Sequence, residues 1–341
     1  MLKLEYEPPV PRERLAVIEN EERPRVQSEI KNQKLFGTMP SKKTTNAAPI
    51  IEYNISRFDP YRIEPGRPIG VLGKSGSGKS VVTCELLHII AQKSHTGLVF
   101  SATEFANGTY SKFVPGCLIF NEFREDKIFE LFNIQARKRK AREGLEADIA
   151  TMKRLNRPVE VTRLQAQLRE REALDRAFVV IDDMAFSQST FNNDAMKALM
   201  FQGRHFSCTT IVTVQYSLLL NTALRANLAY VFVARESIIA NRRRLYEHFF
   251  GVFPSFDDFE RVFAACTTGY DFICLDNTSR SMNPNQCVHW HRANPNLPPF
   301  RLCSDAWWRF NSRNFDPNHE EKNRQKKLQE IKGAKVVRKK K

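Results

Sequence analysis

Eight residues limit this chain more than any other stretch: Gly73-Lys74-Ser75-Gly76-Ser77-Gly78-Lys79-Ser80, which fit the pattern G-x-x-x-x-G-K-[ST]. An apolar run, PIGVLG at 68–73, leads into them. A helical pattern, SVVTCELLHIIAQ at 80–92, leads out, with Val81, Leu86 and Ile90 among its apolar positions. The order strand, glycine loop, helix predicts an α/β fold in which the loop binds phosphate. Glycines at these positions reach backbone angles closed to other residues, so successive N–H groups converge on one anion. The helix that follows aims its positive end at the same point. In such a loop Lys79 reaches the β- and γ-phosphates of a nucleotide, and the Ser80 hydroxyl ligates Mg²⁺. The predicted ligands are therefore ATP and Mg²⁺.

Two further apolar runs end in polar groups. Ala177 to Ile181 leads into Asp182 and Asp183. A buried strand carries two adjacent carboxylates at its end when they face a cation or a reacting water. Asp182 is expected to hold Mg²⁺ and Asp183 to orient or deprotonate the attacking water, with helix capping as the alternative for either. Glu104, after the second strand, is the next candidate base. The run Thr209 to Val214 ends in Gln215, whose amide can donate to a γ-phosphate and accept from water; a plain strand-end hydrogen bond is the bland alternative.

The rest of the chain divides by composition. Residues 1–50 hold six of the 17 prolines and read as an extended arm. Residues 51–315 read as the core. The strand pattern GLVFS (97–101) and CLIF (117–120) gives way at about 124–176 to a segment with a single glycine, rich in Arg, Glu, Lys, Leu and Ala. Leu145, Ile149, Met152 and Leu155 recur there at helical spacing. Asn156-Arg157-Pro158 breaks the pattern, and Val161, Leu164 and Leu168 resume it. This predicts an inserted helical hairpin. Strand patterns return from 177: AFVVID, CTTIVTVQ, LAYVFVAR, GYDFICLDN and CVHWHRA. Continuous apolar runs suit a parallel sheet covered on both faces.

The net charge is +15. Twelve Lys/Arg against seven acids fall between Gln135 and Arg176, and ten against three between Glu320 and Lys341. Local basic excess suits a polyanion such as nucleic acid, or an anionic membrane surface. Residues 316–341 read as a disordered basic tail. Seven cysteines without a CxxC pair read as thiols in a reducing compartment. No apolar run has the length of a membrane span. Cys287, His289 and His291 alternate along one strand, but no fourth zinc ligand accompanies them. Trp307, Trp308 and Phe310 suit packing better than base stacking.

GVLGKSGSGKS, FVVIDDMAF, FQGRHFSCTTIVTVQY and LRANLAYVFVARES stand in the order of the motifs of genome-packaging ATPases of large double-stranded DNA viruses, the viral branch of the FtsK/HerA superfamily. The resemblance extends through SATEFANGTYSKFVPG, NRRRLYEHFFGVF and GYDFICLDNTSRS, and covers about 70–310. It implies a RecA-like P-loop fold with a mostly parallel sheet flanked by helices. It also implies a homo-oligomeric ring, pentamer or hexamer, with ATP at subunit boundaries and double-stranded DNA in the channel. The implied task is driving a viral genome into a capsid in the host cytoplasm, alongside a capsid, portal or membrane component. Cellular relatives usually end the second motif in Asp-Glu, where this chain has Asp182-Asp183. A ring also needs a cation acting across the subunit boundary. Arg204, in Gln202-Gly203-Arg204-His205, is the leading candidate from its place between the second motif and Gln215, expected near the level of the active site; Arg225 and Arg235 are its rivals. A cellular-type translocase or helicase would share these motifs, and a kinase or nucleotide switch would share the phosphate loop alone.

Overall fold

The computed structural model describes residues 14–18, 51–92, 94–184 and 191–316. The expected tail, and most of the expected arm, lie outside them. Among the described residues the strands are β1 (Arg14–Ile18), β2 (Ile51–Ile55), β3 (Ile69–Leu72), β4 (Thr96–Ser101), β5 (Ile119–Phe120), β6 (Ala177–Asp182), β7 (Cys208–Val214), β8 (Tyr230–Val233), β9 (Asp271–Asp276) and β10 (Val288–Arg292). The described residues form two compact units, one from those in 59–229 with 293–316, the other from 14–18 and 51–58 with Tyr230–Arg292.

The larger unit carries the sheet order β5-β4-β6-β7-β3, every pair parallel. The strand that enters the phosphate loop therefore lies beside β7, and β6 one place further on. Its strands β3, β4, β6 and β7 are buried at every residue, as apolar runs covered on both faces should be. The helix Lys79–Ile90 packs through Val82, Leu86 and Leu87, all fully buried, whereas Val81 is 38% exposed. The α/β, P-loop architecture expected from the sequence is present.

The inserted hairpin is also present. A 30-residue helix, Glu125–Arg154, is followed by Pro158–Leu174. Asn156 turns the chain at φ 55°, and Pro158 opens the second helix at a position where its missing N–H costs nothing. At 1.5 Å per residue the first helix is about 45 Å long. Ile149 is buried in the seam and Leu145, Met152, Val161, Leu164 and Leu168 are half-buried, but Leu155 is 58% exposed. Two helices shield only the stripe between them, so a periodic apolar residue near the turn stays wet. At its base the hairpin is anchored: Phe132 stacks on Phe206 at 4.8 Å. The Gln135 amide donates to the carbonyls of Asp175 (2.6 Å) and Phe206 (2.8 Å).

The smaller unit corrects one expectation. β8, β9 and β10, which read as further parallel strands, pair antiparallel in the order β8-β9-β10. Their apolar runs report burial on two faces and say nothing of direction; Asp271 to Leu275 of β9 are all buried. β1 and β2 pair antiparallel in the same unit. There Phe58 packs against the rings of His289 and His291, and the Ser56 hydroxyl shares a 3.0 Å hydrogen bond with His289 Nδ1.

Candidate functional site

Apart from Arg204, the predicted site residues gather at the carboxyl ends of β3, β6 and β7, inside the larger unit. The phosphate loop is built as its glycines demand. Gly76 has φ +75°, and Gly78 caps the helix at φ 91°, ψ 9°, a left-handed conformation. A Cβ at Gly76 would meet no atom, so it is backbone angle, not space, that calls for glycine there. Gly73 N–H donates to the Val214 carbonyl at 3.1 Å and ties the start of the loop to β7. The Lys79 ammonium, 7% exposed, donates to the Gly73 (2.8 Å) and Lys74 (3.0 Å) carbonyls of its own loop. Burial lowers its pKa, and the nearby charges of Asp183 and Asp182 work against that. Ser75 and Ser80 are exposed, and Ser77 is half-buried. Ser77 Oγ is shut away from solvent without a hydrogen-bond partner among the described residues. This loop fits a polyphosphate: it offers left-handed glycines at a helix N-terminus, a lysine within the loop and an orphaned hydroxyl.

The two carboxylates and the glutamine lie together, and the residue that joins them was missed in the sequence. Thr213 is fully buried. Its hydroxyl donates to Asp182 Oδ1 at 2.6 Å and accepts the Asp183 N–H at 3.0 Å. The signal available was its position two residues before Gln215, on the same face of β7, but that β7 lies next to β6 is not a local property. Asp183 sits at φ 52°, in the left-handed region that apart from glycine is entered mostly by Asn and Asp. Gln215 Nε2 donates to both Asp183 oxygens, at 3.0 and 3.1 Å. Each carboxylate oxygen has two lone pairs, so these bonds leave Asp183 able to accept from a water.

Asp182 is 5% exposed, and burial raises its pKa, against the pull of the Thr213 and Tyr110 hydroxyls. A carboxyl raised in this way favours the folded state while protonated, and that contribution is lost as pH climbs through the raised value. Mg²⁺ needs the ionised form, so its binding competes with the proton on the acid side. Removing the Thr213 hydroxyl takes away one bond to the charged form. Thr213→Val is expected to weaken apparent Mg²⁺ affinity about tenfold and to move the acid limb of the ATPase pH profile upward. Thr213→Ser should restore both; a profile unmoved by Val would remove the hydroxyl from the site.

Glu104 is corrected as a base. Its buried carboxylate accepts the N–H groups of Thr109 (3.1 Å), Tyr110 (3.0 Å) and Ser111 (2.8 Å), so it pins a loop. Arg204 is not at the level of the site. It is exposed, in the turn Gly203–Phe206, at the amino end of β7, while Gln215 follows the carboxyl end. Seven strand residues at about 3.3 Å each put about 20 Å between the two. The turn packs against Gly66, where a Cβ would come within 2.9 Å of Arg204 Cα. Arg225 donates to the Leu220 carbonyl and, at 3.2 Å, to Thr222 Oγ1, within its own loop. Arg235 is exposed after β8, in the smaller unit. Trp308 is a packing residue: its Nε1 donates to the Leu302 carbonyl at 2.8 Å, and Arg301 lies over its ring at 4.2 Å. Phe310 is 50% exposed and meets Trp307 edge-on.

Residues 62–243 match the family model described as Poxvirus A32 protein. An uncharacterized protein of Invertebrate iridescent virus 3 is 31% identical over 228 residues, which are 67% of this chain and 76% of that one. An uncharacterized protein of Acanthamoeba polyphaga mimivirus is 23% identical over 274 residues, 79% of this chain and 84% of its own length. Among solved structures, the genome packaging NTPase B204 from Sulfolobus turreted icosahedral virus 2, in complex with ATP-gammaS, aligns with a TM-score of 0.42 at 14% identity, covering 68% of this chain and 99% of that one. With a family model spanning more than half its length and a relative above 30% identity, this chain belongs to the poxvirus A32 family, the viral genome-packaging ATPases that its motifs resemble.

Proposed function

We propose that this chain is one subunit of a ring that hydrolyses ATP to drive double-stranded viral DNA into a capsid. The observation that carries the hydrolytic part is the connected set Asp182–Thr213–Asp183–Gln215 beside Lys79. A nucleotide switch needs only the loop; a hydrolase also needs a placed carboxylate for water. In this reading N–H groups of the loop beyond Gly73 cradle the phosphates and Lys79 turns from its loop carbonyls to the β- and γ-oxygens. Ser80 and Asp182 would hold Mg²⁺, which supplies charge neutralisation on the phosphates when bound. Asp183 orients the water and takes its proton, and Gln215 spans Asp183 and the γ-phosphate, so it registers whether that phosphate is present. In this reading the extended arm and the basic tail flank the core and meet DNA or a capsid, portal or membrane partner, at the assembly site in the host cytoplasm.

The DNA part rests on charge. The hairpin carries Arg137, Lys138, Arg139, Lys140 and Arg142 within six residues, of which Lys138 and Arg142 lean on Asp175 (3.8 and 3.6 Å) and Arg139 on Glu143. The test is steady-state ATPase activity with linear duplex, with single strands and without DNA, together with the mass of the particle in the presence of a nucleotide analogue. Duplex should raise turnover at least severalfold, steeply less so as salt rises, and the mass should be a small multiple of 39.4 kDa. Unstimulated turnover by a monomer would overturn the proposal; strand separation in preference to duplex movement would replace it with a helicase.

A further inference from the structure

A cleft of about 830 Å³ opens beside the phosphate loop, within the larger unit. Ser80 and Val81, at the head of the helix, and Cys84 one turn later form one wall. The loop after β4 supplies Lys112 and Phe113, and the segment that follows Ala293 supplies the third side, through Phe300 and the prolines before it. We infer that this cleft receives the base and ribose of the nucleotide whose phosphates the loop holds, with Phe300 as an apolar wall and Lys112 as a polar contact at the rim. The inference rests on the ATP site proposed above and assigns its nucleoside end.

Three observations carry it. The cleft begins where the phosphate loop ends, since Ser80 belongs to both, so a ligand anchored by phosphate has somewhere to extend. Its size and lining are those of a small-molecule site, mostly apolar with a few polar groups. Burial pushes the Cys84 thiol up to about 12, so that wall is uncharged across the physiological range. Lys112 is exposed and makes no ion pair among the described residues, which leaves it available to a ribose hydroxyl. Finally, the third wall is held in place. Asn294 N–H donates to Glu85 Oε1 at 3.2 Å and Leu302 N–H to the Phe113 carbonyl at 2.8 Å. The Phe300 ring stacks on Phe113 at 4.5 Å and meets His88 edge-on at 4.8 Å. A segment fixed at both ends with its aromatic ring clamped is a preorganised wall, and binding against it orders little that was free.

The test separates nucleoside from phosphate. Binding of ATP and of inorganic tripolyphosphate, each with Mg²⁺, is measured by calorimetry on the full chain, as wild type, Phe300→Ala and Lys112→Met. Both variants should lose ATP affinity, Phe300→Ala by about tenfold, while tripolyphosphate binds as to wild type within about twofold. Lys112→Met changes an exposed side chain and serves if Phe300→Ala fails to fold. Equal losses for both ligands would show that the segment merely shapes the phosphate loop and would overturn the assignment. Unchanged ATP affinity in both variants would overturn it as well, leaving the loop site intact. A wild-type protein that binds tripolyphosphate no better than Lys79→Ala does would instead fail the underlying ATP site.

Discussion

Lys79→Ala should abolish ATP hydrolysis, by a thousandfold or more. Lys79 is the cation the loop itself supplies: it is 7% exposed, and its ammonium already lies within hydrogen-bond reach of the Gly73 and Lys74 carbonyls. Those bonds hold the side chain folded over the loop, where the phosphates of a nucleotide would lie. Burial works against its charge, and the paired acids Asp182 and Asp183 work for it. Alanine removes the charge and leaves both acids without it, so phosphate repulsion rises just where charge builds in the transition state. Lys74 and Lys112 are the other lysines nearby, one half-buried in the loop and the other exposed at the cleft rim. Turnover measured by phosphate release, with folding checked by thermal melting, decides it. Activity within tenfold of wild type would remove Lys79 from the chemistry. Asp183→Asn should keep nucleotide binding and lose turnover, and with Glu104 committed to three backbone N–H groups, survival of turnover would leave no second carboxylate placed for the task.

Arg204→Ala is expected to bind ATP as wild type does, to assemble, and to hydrolyse about a thousandfold more slowly. The reason is the geometry that excludes it from its own site. A ring is built from one surface meeting a different surface on the next copy. A group that acts across that boundary must therefore lie away from the phosphate loop of its own chain. Arg204, about 20 Å along β7 from Gln215, satisfies that condition. Arg225, engaged with the Leu220 carbonyl and Thr222, supports its own loop instead. The turn that carries Arg204 is braced: Gly203 leaves no room for a Cβ beside the Cys208 carbonyl (2.8 Å), and Gln135 of the hairpin holds Phe206. In the proposed ring this arrangement would make hydrolysis wait for a neighbour that is in place. Mixing gives the decisive result. Arg204→Ala and Lys79→Ala subunits, each inactive alone, should recover activity in one ring, since some interfaces then hold both groups. Mixed rings that stay inactive, or an Arg204→Ala protein with full activity, would move the role to Arg235.

What could be read from the residues in order is what neighbouring residues decide among themselves. The glycine loop, the helix after it, the two acids at the end of a buried run and the break at Asn156-Arg157-Pro158 all follow from local backbone angles, missing N–H groups and burial period. Each appears where the sequence placed it. The antiparallel course of β8 to β10 was not legible, because an apolar run reports how many faces are covered and not which way its neighbour points. Thr213 was invisible for a related reason. Its hydroxyl matters only because β7 lies between β3 and β6, which brings residues 31 apart to 2.6 Å. The same adjacency puts Gln215 on Asp183, and the loop closure around Glu104 turned a candidate base into a brace. Arg204 shows the limit most plainly: its place in the chain, between the acids and the glutamine, suggested the site, but a strand carries its two ends to opposite edges of the sheet. Local chemistry is written in contiguous residues; which strands become neighbours, and which edge a residue reaches, is settled only when the whole chain has packed.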